Sequence, residues 1–256
     1  MRYFVFCQSD ILLQKTRDDK FVVPSSDVPP TETKPWTNIM TITLPSGEVV
    51  STYSIDSPVT GNADFEMVGL RQSYYKLSRE EYISAGKCHE ILYWNKTTKF
   101  CGVCGGTMKM HTEISKRCCE CGKEIWPQVA TAVIALIHNG DEVLLVRGKN
   151  FRSNFFGLVA GFVETGETLE EAIAREALEE TGIKIKNIQY FGSQPWPYPC
   201  GLMVGFNADY ESGTIHLQES ELTKVGVLSR QSAHNPRKTL YSTNAYRRLV
   251  RNKMIR

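Results

Sequence analysis

The sequence has no long hydrophobic run and little net charge. None of its apolar stretches approaches the roughly 18 residues that a membrane-spanning helix needs, and the segment MRYFVFCQSD lacks the basic stretch, apolar run and cleavage site of a secretory signal. The formal net charge is +2 at pH 7, with Lys and Arg spread along the chain. We therefore expect a cytoplasmic protein that makes no membrane contact and does not bind bulk nucleic acid through a concentrated basic surface.

The composition is that of folded domains. Hydrophobic residues make up 41% and charged residues 23% of the 256 residues, which excludes a disordered tail. The length allows one large domain or two smaller ones. No internal repeat is visible in the sequence. The function must therefore be sought in individual motifs.

Four of the eight cysteines form two C-x2-C pairs, a pattern that favours metal binding over disulfides. Thirteen residues separate the pairs, which lets two tight turns bring four thiolates around one Zn²⁺. Because four protein ligands leave no open coordination position, we predict one structural zinc per chain. The predicted ligands are Cys101, Cys104, Cys118 and Cys121. Glycines follow both pairs, where the chain often needs a positive φ, at Gly105, Gly106 and Gly122.

Two other interpretations of the cysteines stay open. The four thiols could be buried or redox-active without a metal, or the ribbon could bind nucleic acid. The nucleic-acid role is disfavoured because the intervening GGTMKMHTEISKR contains only three Lys or Arg and no aromatic residue on which a base could stack.

Turn and capping signals predict a mixed sheet packed by helices. Ser78 and Glu81 have the spacing of a capping box, which predicts a helix starting at Ser78. Asn139-Gly140 between two apolar runs predicts a hairpin. A second helix is predicted at residues 168–181, ended by Gly182. Further strands are predicted at IKNIQYFGSQ, LMVGFNADY and TIHL, with a turn at residues 211–213 and a basic closing helix at NAYRRLVRNKMI.

An acidic segment carries the clearest chemical signal. On a helix, Glu176 lies three residues before Glu179 and four before Glu180, so all three carboxylates share one face. Such close like charges repel one another unless cations neutralise them. Carboxylate oxygens suit Mg²⁺ or Mn²⁺, which can polarise a phosphoryl oxygen, lower the pKa of a bound water and clamp a leaving group. Arg175 is placed to fix the carboxylates by hydrogen bonding. The alternative is a solvated acidic face.

The segment GFVETGETLEEAIAREALEETGI, residues 161–183, resembles the Nudix signature G-x5-E-x7-R-E-U-x-E-E-x-G-U at every fixed position. One residue departs mildly, since Ala177 is smaller than the usual apolar residue there. The resemblance implies a Nudix α/β/α fold with a mixed sheet and metal-dependent cleavage of a diphosphate. It assigns catalytic roles to Glu167, Arg175, Glu176, Glu179 and Glu180, the last three as ligands of Mg²⁺ or Mn²⁺.

Residues 193–203, SQPWPYPCGLM, resemble the S-Q-P-W-P-F-P-x-S-L-M array of the NADH pyrophosphatase family, with Tyr198 for Phe and Gly201 for Ser. In that family a four-cysteine zinc ribbon precedes the Nudix domain, in the same order as here. The resemblance implies a homodimer that hydrolyses NADH or NAD⁺ to nicotinamide mononucleotide and AMP. Bacterial members also remove NAD caps from RNA, so NAD-capped RNA is a second expected substrate.

The resemblance to the family also implies roles for individual residues. Phe162 matches an aromatic residue that stacks on a substrate base, and Trp126 takes the place of a Tyr that the partner subunit contributes to the same stack. Glu221 matches a later acidic metal ligand, with Glu219 as the alternative, and the following Lys224–Leu228 departs from the family pattern E-A-x-W-[FY]. Three residues are expected to shape the nicotinamide side of the pocket, namely Gln194, Trp196 and Pro197.

These features predict an α+β protein of three parts: an N-terminal α+β domain (1–95), a zinc ribbon (96–127) and a Nudix domain (128–256). The leading function is hydrolysis of the NAD(H) diphosphate. Free dinucleotide and capped RNA share that diphosphate, so the catalytic residues do not separate them. Two alternatives stay open, a Nudix hydrolase of another nucleoside diphosphate derivative such as ADP-ribose, and a zinc-ribbon nucleic-acid binding protein with a degenerate hydrolase domain.

Overall fold

The computed structural model describes residues 1–149, 156–216, 218 and 222–229. The chain forms two compact units. The first comprises Met1–Val129 and Pro195–Cys200, and the second comprises Ala130–Gln194 together with the described residues from Gly201 onward. The first unit is therefore built from two separate stretches of chain. Within the described ranges, no helix combines the length and the apolar character needed to cross a membrane.

A six-stranded mixed sheet forms the body of the first unit. Its strands are β1 (Tyr3–Cys7), β2 (Asp10–Lys15), β3 (Phe21–Val22), β4 (Met40–Thr43), β5 (Val49–Ser54) and β6 (Phe65–Gly69). The strand order is β3-β2-β1-β5-β4, and β6 also pairs with β2. β1 is antiparallel to β2 and parallel to β5. All five residues of β1 are buried, as expected for a central strand covered on both faces.

Two helices follow this sheet, α1 (Leu70–Ser73) and α2 (Arg79–Thr97). The Ser78 hydroxyl accepts a hydrogen bond from the Glu81 N–H, and the Glu81 carboxylate accepts one from the Ser78 N–H. The predicted capping box at the start of α2 is therefore confirmed. The buried side of α2 joins the main hydrophobic core of the sheet through Ala85, Cys88 and Ile91.

The cysteine-rich segment forms a small antiparallel sheet of β7 (Met108–Thr112), β8 (Ser115–Cys118) and β9 (Glu124–Ile125), in that order. Lys116 on β8 is buried, and its ammonium donates to the carbonyl oxygens of Asn95 at 2.8 Å and Thr98 at 2.9 Å. The last carbonyl groups of a helix have no helical partners and carry partial negative charge. This segment thus supplies the cation that caps the C-terminal end of α2.

The second unit contains a six-stranded sheet and one described helix. The elements are β10 (Ala130–Asn139), β11 (Glu142–Gly148), β12 (Val159–Phe162), α3 (Leu169–Thr181), β13 (Ile183–Trp196), β14 (Gly201–Gly213) and β15 (Leu222–Ser229). The order is β13-β14-β10-β11-β15, and β12 pairs with β10. β10 is parallel to β14 and antiparallel to β11 and β12, so the predicted mixed sheet and α+β class are confirmed.

The predicted hairpin and acidic helix are also confirmed. Asn139 pairs with Glu142 across a turn in which Gly140 has a φ of 59°. The hydroxyl of Thr168 caps α3 in a capping box with Glu171, and Gly182 ends the helix at a φ of 74°. The inner side of α3 packs into the core of the sheet through Ala172, Ile173 and Ala177, all three of which are fully buried.

Two predictions after α3 are wrong. Residues 211–213 do not form a turn but continue β14 to Gly213. A Cβ atom at Gly213 would lie 2.6 Å from the Gly182 carbonyl oxygen, so this glycine permits a close approach of two chain segments. Residues 214–216 of the predicted strand TIHL are irregular, and the His216 N–H donates to the Thr181 carbonyl at 2.9 Å. Leu217 and the predicted closing helix lie outside the described residues.

The two large sheets share one plan, which the sequence did not reveal as a repeat. The order β2-β1-β5-β4 in the first unit matches β11-β10-β14-β13 in the second. In both, the first two strands form an antiparallel pair and the next strand is parallel to its neighbour in that pair. Residues 23–39 precede β4 and contain no helix, whereas α3 precedes β13. The first unit therefore repeats the sheet of the second without its acidic helix.

Candidate functional site

The acidic face of α3 is fixed by the packing of its apolar side. Glu176, Glu179 and Glu180 lie within about one helical turn of each other, beside the residues that pack into the core. The side chain of Glu179 is 52% exposed, that of Glu176 is 13% exposed, and Glu180 is buried. The three carboxylates therefore extend from solvent into the protein.

Arg175 organises these carboxylates. Its guanidinium donates to the Glu167 carboxylate at 2.5 and 3.0 Å, to Glu176 at 2.9 Å and to Glu179 at 3.1 Å. It also donates to the carbonyl oxygen of Phe162 at 3.0 Å. The planar guanidinium thus joins the loop before α3, the helix and β12 in one network. The expected role of Arg175 in orienting the acidic residues rests on these contacts.

Glu167 is held in its charged form. The Arg175 guanidinium, together with the N–H of Glu164, lowers the pKa of Glu167 to about 2. The same pairing, led by Glu167, raises the pKa of Arg175. Both groups are therefore ionised at neutral pH. This ion pair links the loop between β12 and α3 to the helix.

Gly161 lets the Glu176 carboxylate lie directly against β12. A Cβ atom at this position would overlap that carboxylate. Gly161 pairs with Val133 of β10, so its backbone position is fixed by the sheet. Glycine is required here because of this close approach and not because of its φ.

The donor set of this site fits a hard divalent cation. Its side chains are carboxylates, one of them buried and one covered by Gly161. Mg²⁺ and Mn²⁺ prefer such oxygen ligands and retain positions for water and phosphate oxygens. The proposed fourth carboxylate, Glu221, and its alternative Glu219 lie outside the described residues. Lys224–Leu228, the stretch that departs from the family pattern, forms part of β15. It pairs with residues 143–147 of β11.

Both predicted stacking residues are exposed. Phe162 ends β12 and is 65% exposed, and Trp126 follows β9 and is 50% exposed. Large aromatic side chains are usually buried for most of their surface. Neither of these two is. Phe162 belongs to the second unit and Trp126 to the first.

The predicted pocket residues fall into different units. Gln194 is half-buried in the second unit, whereas Trp196 and Pro197 belong to the first. Pro197 is buried against α2, where a Cβ atom added at Gly86 would lie 2.9 Å from the Pro197 Cγ. Sequence reasoning missed this contact, because no local pattern links residues so far apart.

The four predicted zinc ligands are brought together. Their Sγ atoms all lie within 4.8 Å of one another, with Cys101 to Cys121 at 3.7 Å and Cys104 to Cys118 at 3.5 Å. A tetrahedral zinc with bonds of about 2.3 Å spaces its sulfurs by about 3.8 Å, so the cluster fits this ion. All eight cysteines are free of disulfides.

The cluster is built from two tight turns. The N–H groups of Cys121 and Glu120 lower the pKa of the Cys118 thiol to about 6, which favours the thiolate that a metal binds. Gly105 and Gly122 have positive φ values of 76° and 74°, as predicted. Gly106 does not, and the prediction for it is wrong. A Cβ atom there would lie 3.0 Å from the Cys118 Sγ, so lack of space explains this glycine.

Comparisons with known proteins agree with these features. The family model described as NUDIX domain matches residues 127–249, and the model described as NADH pyrophosphatase-like rudimentary NUDIX domain matches residues 1–94. The second description corresponds to the repeated sheet that lacks the acidic helix.

Several curated relatives carry the name NAD-capped RNA hydrolase NudC. The protein from Haemophilus influenzae (strain PittEE) is 46% identical over 161 residues, 61% of this chain and 61% of the relative. The protein from Pseudomonas aeruginosa (strain LESB58) is 37% identical over 182 residues, 69% of this chain and 63% of the relative. These alignments span less than two thirds of each relative. The chain therefore has a NUDIX domain, preceded by an NADH pyrophosphatase-like rudimentary NUDIX domain.

Proposed function

We propose that the protein is a metal-dependent hydrolase of the diphosphate bond in NADH and NAD⁺, giving nicotinamide mononucleotide and AMP. The same diphosphate at the 5′ end of NAD-capped RNA is a second proposed substrate. The observation that carries the proposal is the carboxylate set of α3, fixed by Arg175 and packed against Gly161. The relatives named NAD-capped RNA hydrolase NudC support the choice of substrate.

The reaction adds water across the diphosphate. The water oxygen bonds to one phosphorus, the bridging oxygen leaves with the other phosphate, and a proton is released to solvent. A divalent ion, Mg²⁺ or Mn²⁺, would be held by Glu176, Glu179 and Glu180, with Glu221 completing the site. When bound, it supplies a Lewis acid at the phosphoryl oxygen and lowers the pKa of water. Arg175 and Glu167 keep the carboxylates oriented, so little reorganisation is needed at the moment of reaction.

Binding of the substrate base is assigned to exposed aromatic rings. Phe162 and Trp126 of the partner subunit would enclose one base, each face contributing about 1 to 3 kcal/mol. This arrangement requires a homodimer, which we include in the proposal. Gln194, Trp196 and Pro197 would shape the nicotinamide side of the pocket.

The remaining assignments complete the proposal. The four clustered cysteines would hold one structural zinc per chain, because all four ligand positions are filled by protein. We propose the division into an N-terminal domain (1–95), a zinc ribbon (96–127) and a Nudix domain (128–256), and a cytoplasmic location.

Product analysis tests the function. Purified protein is incubated with Mg²⁺ or Mn²⁺ and NADH, NAD⁺, ADP-ribose or a short NAD-capped RNA. We expect a nicotinamide mononucleotide end and an AMP end from NADH or the capped RNA. Glu180→Gln should lower turnover by orders of magnitude, whereas Glu170→Gln, an exposed change in the first turn of the same helix, should not. If ADP-ribose alone is hydrolysed, the substrate is another nucleoside diphosphate derivative and not NAD(H). If RNA binds and none of the compounds is hydrolysed, the protein is not a hydrolase of this kind.

A further inference from the structure

The segment Pro195–Cys200 comprises the end of β13 and the connection to β14, and it packs within the first unit. Pro197, in the middle of this segment, packs against α2 at Gly86. A Cβ atom at Gly86 would stand 2.9 Å from the Pro197 Cγ and 3.4 Å from its Cβ. Glycine inside a helix costs about 1 kcal/mol relative to alanine. The close seat of the proline ring is the structural reason for a glycine at this point of α2.

The next residue is held by a hydroxyl pair. The Tyr198 hydroxyl hydrogen-bonds the hydroxyl of Tyr82 on α2, and the Tyr82 ring meets Tyr74 edge-on at 5.2 Å. Burial, followed by the contact with Tyr82, raises the pKa of Tyr198, so the hydroxyl stays neutral. The family array has Phe where this chain has Tyr198. The additional hydroxyl therefore has a specific partner in the first unit.

Trp196 is held from α1. The Arg71 guanidinium lies 5.0 Å from the centre of the Trp196 ring, within the range of a cation–π contact. The Trp196 ring meets Tyr198 edge-on at 5.3 Å, with an angle of 83° between the planes. Three consecutive residues of the array thus each have a different partner from α1 or α2.

We propose that Arg71, Tyr82 and Gly86 are positioning residues that set the conformation of the Trp196–Tyr198 segment for recognition of the nicotinamide end. This inference rests on the proposed function. It gives the first unit, which has no acidic helix, a role in substrate selection. The three residues carry rigid rings and each contacts α1 or α2 directly, so a shift of these helices is transmitted to the segment through few rotatable bonds.

The hydroxyl pair provides the test. Tyr82→Phe leaves the Tyr198 hydroxyl without its partner, and we expect the KM for NADH to rise about five-fold, with kcat changed less than about two-fold. The inhibition constant of the product AMP, which lacks the nicotinamide, should stay unchanged. The double variant Tyr82→Phe/Tyr198→Phe removes both hydroxyls and should restore the KM to within about two-fold of wild type. Tyr93→Phe, an exposed tyrosine on the same helix, is the matched control.

Gly86→Ala is a second, stronger perturbation. The added methyl group would displace Pro197. We expect a larger rise in the KM for NADH than in Tyr82→Phe, again without a change in the inhibition constant of AMP. An unchanged KM in Tyr82→Phe and Gly86→Ala, or equal changes for NADH and AMP, would overturn the positioning role. Failure of the wild-type protein to hydrolyse NADH would instead overturn the proposed function itself.

Discussion

Replacement of Gly161 by alanine tests whether the Glu176 carboxylate must lie against the backbone of β12. The new Cβ would overlap that carboxylate, which would have to retreat by roughly 1.5 Å to reach van der Waals contact. Gly161 is not in the left-handed region, so alanine fits the backbone itself. Because a 1 Å displacement of a catalytic group costs on the order of 100-fold, we expect kcat with NADH to fall by about that factor. The free energy of unfolding should change by less than about 1 kcal/mol.

The assay combines initial rates at saturating Mg²⁺ with urea unfolding followed by tryptophan fluorescence. Glu176→Asp, introduced into wild type and into Gly161→Ala, provides the control. The shorter side chain relieves the overlap, so it should cost less activity in the alanine background than in wild type. Wild-type kcat in Gly161→Ala, or losses that simply multiply in the double variant, would refute the reasoning.

Three further predictions concern ion pairing and zinc. The pKa of Glu167 falls from 4.5 to about 2 on folding, so its stabilising contribution is complete above about pH 4.5 and disappears as the pH drops toward 2. Glu167→Gln should therefore be less stable than wild type in urea at pH 7, and the difference should shrink between pH 4.5 and 3. Cys101→Ser should lose zinc, measured by metal analysis, and unfold at lower urea; a stable, zinc-loaded variant would contradict the cluster assignment. Lys116→Met should lower the free energy of unfolding by about 1 to 3 kcal/mol, because two carbonyl groups at the end of α2 lose their donor. Lys109→Met, on the exposed side of β7, should have no comparable effect.

Features set by short spacings could be predicted from the sequence. The capping box at Ser78, the hairpin at Asn139 and the paired thiols all depend on residues that are close along the chain. In each case local geometry alone brings the groups together. The acidic face of α3 follows from helical periodicity in the same way.

Long-range features could not be predicted. The shared plan of the two sheets depends on strand order and direction, which different apolar sequences can satisfy equally well. The Tyr82–Tyr198 contact joins residues 116 positions apart, and neither tyrosine carries a local signal for the other. Gly213 was predicted to lie in a turn. Glycine is also needed where two chain segments approach closely, and the sequence does not distinguish the two causes.

The return of the chain to the first unit has a consequence for synthesis. Pro195–Cys200 emerges from the ribosome about 100 residues after α2, which at about 5 to 20 residues per second is a delay of roughly 5 to 20 seconds. During that interval the surface formed by Tyr82 and Gly86 lacks its cover. The Tyr82 hydroxyl and the space beside Gly86 are therefore filled only late in synthesis, and in a chain that stops before residue 195 they are never filled by this segment.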